Sequence, residues 1–441
     1  MDGTENPKDM STGLARVMES ARKNPHRRLR SLAHHLDVEV LRRAYKGLRK
    51  DAAVGVDGVT KEQYGENLEA NLQDLHQRLK ENKYRHQPLR RVHIPKDKNR
   101  TRPIGISTVE DKIVQGALQE LLGAIYEQRF LDCSYGSRPG RSAHGALRAL
   151  HDAVKKGEVN VVLESDVTSF FDSIDRPMLK EMLQERIADK SLMRLIGKCL
   201  RVGVLDGAEF SVPEEGTPQG SILSPLLGNI YLHKVLDEWF EREVKPRLRG
   251  KAVLIRYMDD FIIGFEHRDD AERVLQVLGK RMERFHLHLH PEKTRLADFR
   301  RPPYSQVTGK GPDSFDFLGF TLYWRRNRKG RGWHMTWKTR KARLQRAIRN
   351  AYEWCRSHRH LPIPAQHMAL VRRIRGHFNY FGVNGNLRSL SLLVFHAHRA
   401  WYKWLNRRSQ RSHLNWERFR NLLRDFPLPR PRVYVHLWAS P

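Results

Sequence analysis

The sequence predicts an α+β or α/β chain whose strand-bearing middle lies between helical ends, and three observations predict it. Between about residues 86 and 324 short β-rich segments alternate with helical stretches. Before and after that region apolar residues recur at helical spacing, and positive charge is concentrated toward the end of the chain. Over residues 1–85 the helical period is carried by, for example, Val38, Leu41, Tyr45 and Leu48. A glycine-punctuated loop from Asp51 to Thr60 interrupts it. In the middle region Arg91–Ile94, Val161–Glu164, Val253–Tyr257, Phe261–Phe265 and Phe315–Tyr323 read as strands. Beyond about residue 338 three helices are expected, over Trp337–His358, Ala365–Phe381 and Leu387–Arg408, separated by Pro362, Pro364, Gly382 and Gly385. Phe426–Arg432 is a proline-rich extended stretch.

Composition narrows the classes of function. With 441 residues, 39% hydrophobic and 30% charged, the chain has material for two or three packed domains. It has no run of about 18 apolar residues, so no membrane span is expected. The beginning of the chain mixes Asp2, Glu5 and Asp9 with later arginines and does not read as a secretory signal. Cys133, Cys199 and Cys355 are far apart, which argues against a disulfide framework or a cysteine-rich zinc site and for a reducing, cytoplasmic and nucleoid-associated setting. The net charge is +31, yet from Arg325 to Pro441 there are 27 Lys and Arg against three Asp and Glu. The remaining 324 residues hold 54 basic and 47 acidic groups, and the basic segment also holds seven of the nine tryptophans. A solvated face normally mixes both signs, whereas a one-sign field is tolerable when a polyanion neutralises it. Nucleic acid is the expected polyanion, ahead of an anionic membrane surface.

The sharpest motif is Tyr257-Met258-Asp259-Asp260, flanked by the apolar runs Val253–Arg256 and Phe261–Phe265. It reads as a β-hairpin with adjacent carboxylates at its turn, and a hard divalent cation such as Mg²⁺ would relieve their repulsion. A solvated Asp-Asp turn is the plain alternative. The apolar run Val161–Leu163 leads to Asp166, which supplies a second carboxylate at a strand end. Beside a carboxylated hairpin, such a strand end suits two metal ions about 3.5–4 Å apart. Asp172 and Asp175 are expected to cap a helix or face solvent.

Seven blocks in order now identify a resemblance. They are Val92–Ile106, Cys133–His144, the Asp166 block, Gly216–Pro225, Tyr257–Asp260, Leu289–Thr294 and Phe315–Phe320. The chain resembles the reverse transcriptases encoded by group II introns, the bacterial type without the HNH nuclease domain, from about residue 40 to about 425. The resemblance implies an α+β right-hand polymerase, with fingers and palm followed by a helical thumb and maturase domain. The implied boundaries are 1–85 for an N-terminal extension and the start of the fingers, 86–324 for fingers and palm, 325–415 for thumb and maturase, and 416–441 for a basic DNA-binding tail.

It also implies site residues. Asp166, Asp259 and Asp260 would be catalytic and bind two Mg²⁺ ions, with Mn²⁺ as a substitute and the Val167 carbonyl as a further ligand. Lys96, Arg102, Phe171, Gln219 and Gly220 would form the nucleotide pocket, the cations clamping the triphosphate and Phe171 acting as a steric gate at the sugar 2′ position. An ordinary core Phe is the plain alternative for Phe171, and an exposed Lys the plain one for Lys293, a residue that could also fix the palm or phosphates. Leu318 and Gly319 would form the primer grip. Met258 stands where the commoner family tetrapeptide has Ala, and Ser137 replaces a more usual Phe; Met258 is expected to tune the handling of primer ends.

In the basic segment Arg372, Arg373, Arg375, Arg407, Arg408 and Arg411 are the expected RNA contacts, while Trp401 and Trp404 are expected to pack a helical core. His286, His288 and His290 alternate as on a strand and read as structural or RNA-facing. The implied activity is RNA-directed DNA synthesis from dNTPs on a template–primer duplex, with intron RNA and a DNA target as partners in splicing and retrohoming. A domesticated reverse transcriptase in defence or repair, and a maturase that no longer polymerises, are the rival readings. The intact carboxylates speak against the second.

Overall fold

A computed structural model describes residues 12–97, 100–207, 209–212, 215–217, 220–303, 312–326, 332–409 and 414–438; the side chains of residues 96, 97 and 100 lie outside the description. Helices α1 (Thr12–Lys23), α2 (Val38–Gly47), α3 (Lys61–Glu66) and α4 (Leu68–Lys80) form the N-terminal part. Their starts follow local chemistry: Asp37 accepts a hydrogen bond from Val40 N, and Thr60 and Gln63 form a reciprocal capping box. Leu14 and Val17 of α1 and Val40 and Leu41 of α2 are buried, and both helices pack on α5 (Val109–Tyr126). The 51–60 loop is irregular as expected. Its carbonyls at Ala53 and Val54 accept from Lys112 and Arg90.

Strands β1 (Leu89–Asp97) and β2 (Arg100–Ile106) form an antiparallel hairpin that places Ile94 opposite Arg102. After α6 (Ala143–Lys155) comes β3 (Val161–Asp166), then α7 (Arg176–Gln184) and α8 (Lys190–Leu200). The short strands β4 (Val204–Asp206) and β5 (Glu209–Ser211) extend the first sheet, in the order β2-β1-β4-β5. Helix α9 (Ser224–Leu232) continues into π-helical turns at His233–Asp237 and Phe240–Val244. Next come β6 (Ala252–Tyr257), β7 (Asp260–Phe265), α10 (Arg268–Glu283) and β8 (Arg295–Asp298), closing an antiparallel central sheet ordered β6-β7-β3-β8.

Both faces of the central sheet are covered, which is why its strands read as continuous apolar runs. Leu163, Phe261 and Ile263 join the core of α5, α9 and α10. Val162, Ile255 and Ile262 face α6 and a third sheet made of β9 (Phe315–Phe317), β10 (Phe320–Arg326) and β11 (Trp333–Thr339). The single strand expected over Phe315–Tyr323 is therefore broken. Leu318 and Gly319 both have positive φ, 50° and 80°, and form the two-residue turn between β9 and β10.

Helices α11 (Lys341–Ser357), α12 (Ile363–Phe381) and α13 (Leu387–Leu405) match the three expected, except that Trp337 belongs to β11. There its indole donates to the Asn384 carbonyl at 2.7 Å. The expected division at 324/325 falls inside β10, because β10 and β11 must pair to cover the central sheet. A separate 416–441 tail is not what the packing shows either. Helix α14 (Trp416–Asp425) buries Phe419 against Trp401 in the helical cluster. The following segment returns to the third sheet, where Leu437 is buried and Trp438 lies 5.0 Å from the Trp337 ring. Trp401 is fully buried and donates to Gln366, the core role expected of it.

Candidate active site

Three carboxylates meet at the ends of β3, β6 and β7. The β3–β7 register places Asp166 directly opposite Asp260, and the β6–β7 register pairs Tyr257 with Asp260, leaving Met258 and Asp259 as a two-residue turn. Burial, then the neighbouring charges of Asp166, Asp259 and Glu164, push the Asp260 carboxyl up to about 7. Asp259 is raised for the same first reason and by Asp166, with Arg102 and Arg256 pulling the other way. That influence brings Arg102, on β2, into the electrostatic reach of the turn. Lys293 donates to Asp166.

The donor set suits a hard divalent cation: half-buried carboxylates, mutually repelling, with one proton affinity raised by burial and by that repulsion. Among the described residues no three metal-binding side chains already converge as a coordination shell, and Asp166 is turned to the Lys293 ammonium instead. Val167 bridges to Leu289 through Thr168 N to His288 O and His290 N to Asp166 O, both 2.8 Å. In that pattern the Val167 carbonyl is directed to the other edge of the strand, the β7 side. His288 and His290 thus take part through their backbone.

The turn itself is strained and braced. Met258 has φ of 59°, a conformation that costs a side-chain-bearing residue roughly 1–2 kcal/mol. Gly136 lies against it so closely that a Cβ there would be 2.5 Å from Met258 N. Beneath it Arg256, fully buried, donates to both oxygens of Asp237 at 2.7 and 2.6 Å, to Asn229 at 2.8 Å, to Ser134 at 2.8 Å and to the Met258 carbonyl at 3.1 Å. Burial alone would raise Asp237, but Arg256 more than offsets it and holds the carboxyl below the usual range. These residues were not singled out from sequence. The available signal was an arginine inside an apolar strand run, which requires a buried partner.

Phe171 sits in a single 3₁₀ turn, Phe170–Asp172, that follows Ser169 at φ 46°. It is half-buried beside the fully buried Phe170, ring centroids 5.1 Å apart, and its carbonyl accepts from Thr217 N at 2.7 Å. Asp175 caps α7 as expected, accepting from Met178 N. At φ 105° Gly220 packs closely against β2, where a Cβ would be 2.6 Å from the Gly105 carbonyl. The Lys96 side chain, Gln219 and Arg411 lie outside the described residues.

The Leu318–Gly319 turn is joined to the helical module, because the Tyr380 hydroxyl donates to the Leu318 carbonyl at 2.8 Å. Tyr380 also feels Tyr257 and Asp260 as well as its own burial, and all three raise its pKa. Of the basic candidates, Arg372, Arg373, Arg375 and Arg407 are exposed. Arg408 instead donates to the His360 and Leu361 carbonyls and ties α13 to the preceding loop.

Residues 94–322 match the family model "Reverse transcriptase (RNA-dependent DNA polymerase)". Protein YkfC of Escherichia coli (strain K12) is 33% identical over 307 residues, 63% of this chain and 77% of YkfC. Group II intron-encoded protein LtrA of Lactococcus lactis subsp. cremoris is 34% identical over 250 residues, 54% of this chain but only 41% of LtrA. Nuclear intron maturase 2, mitochondrial, of Arabidopsis thaliana is 29% identical over 181 residues, 32% of this chain and 24% of the maturase. With the matched model covering more than half of its residues, this chain belongs to the reverse transcriptase family.

Proposed function

We propose that the chain is an RNA-directed DNA polymerase of the group II intron type, with Asp166, Asp259 and Asp260 as its metal-binding carboxylates. The observation that carries the assignment is the β3–β7 register that sets Asp166 against Asp260 beside the Met258–Asp259 turn. Two Mg²⁺ ions, when bound, supply activation of the primer 3′-hydroxyl and neutralise the charge of the triphosphate and leaving pyrophosphate. Asp259 and Asp260 would hold the metal from the turn, Asp166 and the Val167 carbonyl would hold it from the end of β3, and Lys293 would have to release Asp166 for it to do so. Arg102 draws the dNTP phosphates toward the turn, and Phe171 closes the space beneath the sugar 2′ position. The Leu318–Gly319 turn, held by Tyr380, receives the primer end. In this reading the central and first sheets are palm and fingers, and α11–α14 are the thumb.

The partners follow from charge and kinship. The basic segment from Arg325 onward is a polyanion surface, and relatives bear the names of group II intron proteins and intron maturases. Intron RNA, bound for splicing and copied into DNA at a target site, fits both. The test is dNTP incorporation on an RNA template with a DNA primer, with Mg²⁺ titrated. Wild type should incorporate, and Asp259→Ala/Asp260→Ala should not while still binding RNA. Folded, RNA-binding wild type without incorporation would overturn the assignment in favour of a maturase alone.

A further inference from the structure

A cavity of about 720 Å³ lies between α7 and α8, and nothing in the proposed chemistry uses it. Its cations are Arg28, Arg176, Lys180, Lys190, Arg194 and Arg201, and no carboxylate lines it. The two helices bring them together by period: Arg176 and Lys180 lie one turn apart on α7, as do Lys190 and Arg194 on α8. Leu183, Ile187, Met193 and Leu200 make the floor between them. This occurs in the part of the chain where acids nearly balance bases, so the gathering of one sign is local rather than a by-product of composition.

The walls are rigid before anything binds. Asp189 caps α8 through Ser191 N and Leu192 N and also accepts from Leu32 N and Ala33 N, fastening the N-terminal segment to the helix. Arg28 is held between two anchors: Leu29 exchanges backbone hydrogen bonds with Arg186 and Ala188, and buried Arg186 donates to the Arg27 carbonyl. Arg176 donates to the Gly216 and Glu215 carbonyls and is lowered by burial and by the like charge of Arg201, with Glu215 pulling the other way. Arg176 also lines a second, smaller cavity with Asp172, Glu215, Gly216 and Thr217, beside the Phe171 turn.

We propose that this α7–α8 groove binds the ribose-phosphate backbone of a single-stranded RNA segment, as a contact surface separate from the basic C-terminal module. The rim spacing along two helices presents a row of cations to successive phosphates, and the apolar floor accepts sugar and base faces. The charge admits only an anionic partner, and RNA is chosen over an acidic peptide because the cations repeat one turn apart along both helices and Arg176 adjoins the Phe171 turn of the proposed nucleotide pocket, a choice that rests on the polymerase reading.

The probe is poly(U), with its affinity measured as a function of salt for wild type, for Lys180→Glu/Lys190→Glu/Arg194→Glu, and for a charge-matched control, Arg247→Glu/Lys280→Glu/Arg284→Glu. The groove variant should bind at least about tenfold more weakly than the control. Its slope of log affinity against log salt should be shallower by about 2, the value for three lost phosphate contacts on a single strand. Incorporation on a saturating primed template should be retained, which separates this inference from the polymerase assignment. Equal losses in groove variant and control, or unchanged affinity and slope, would overturn it and leave the groove to an acidic peptide.

Discussion

Arg256 offers the most demanding test, because it joins stability to the geometry of the site. Arg256→Lys keeps the positive charge but replaces a planar fork with a single ammonium, which cannot serve Asp237, Asn229, Ser134 and the Met258 carbonyl together. Removing one partner of a fully buried pair costs about 3–5 kcal/mol; retaining the charge should keep the lysine variant nearer 2–3 kcal/mol. That is a large share of a typical stability of about 5–15 kcal/mol, yet leaves a folded protein. The second consequence concerns the turn. Met258 holds φ of 59° with its carbonyl fastened by Arg256, so without that hydrogen bond the turn relaxes and carries Asp259 and Asp260 with it. A displacement of about 1 Å at reacting groups lowers turnover roughly 100-fold. Denaturant unfolding and steady-state dNTP incorporation should therefore show a loss of stability of about 2–3 kcal/mol, a fall in kcat of that order, and a small change in KM. Met258→Gly added to Arg256→Lys should recover stability by removing the strained side chain, without recovering kcat. If instead the activity of Arg256→Lys fell only by its unfolded fraction, Arg256 would be a packing residue and the positioning argument would fail.

The remaining perturbations are simpler. Gly136→Ala should abolish incorporation with RNA binding intact, since its Cβ would press on the Met258 backbone at 2.5 Å; wild-type kcat in the variant would contradict this. Phe171→Val should admit ribonucleotides, read as the ratio of kcat/KM for dNTP over rNTP, and an unchanged ratio would return Phe171 to the core. His377 is buried against Phe381 with Nε2 unpartnered, and burial lowers its pKa from an unfolded value of 6.5 to about 4. The unfolded chain therefore binds the extra proton first, so stability is full above about pH 6.5 and falls as pH drops toward 4, by at most about 3 kcal/mol. His377→Phe should flatten that part of the pH–Tm profile, and an unchanged profile would exclude His377 as its source.

The carboxylates were legible because a strand end and a hairpin turn are local: Val161–Asp166 and Tyr257–Asp260 each announce themselves within a few residues. Their bracing was not, because Arg256 takes Asp237 and Asn229 from α9 and its extension and Ser134 from before α6, and no sequence period links those positions. The same limit explains the edges of the domains. Strand β11 pairs with β10 across the boundary that the resemblance implied, and a family outline does not report which strand a sheet needs to close. Strands β4 and β5, three residues each, carry too little pattern to register at all.

One contact joins these scales. Tyr380 stands near the end of α12, a helix whose arginines read as part of a polyanion surface, yet its hydroxyl holds the Leu318 turn and its ring lies where Tyr257 and Asp260 raise its pKa. His144 at the start of α6 contacts the Tyr380 carbonyl, so the tyrosine is held from the palm side as well. A helical module that moved as a body would take this turn with it. Because a part-buried donor and acceptor separated by such movement would lose a hydrogen bond worth about 1 kcal/mol, the turn and the helix should shift together. In the proposed reading, the basic helices and the turn that would receive a primer end are therefore coupled through this hydrogen bond, and that coupling as well as charge would bring the helices into the reaction.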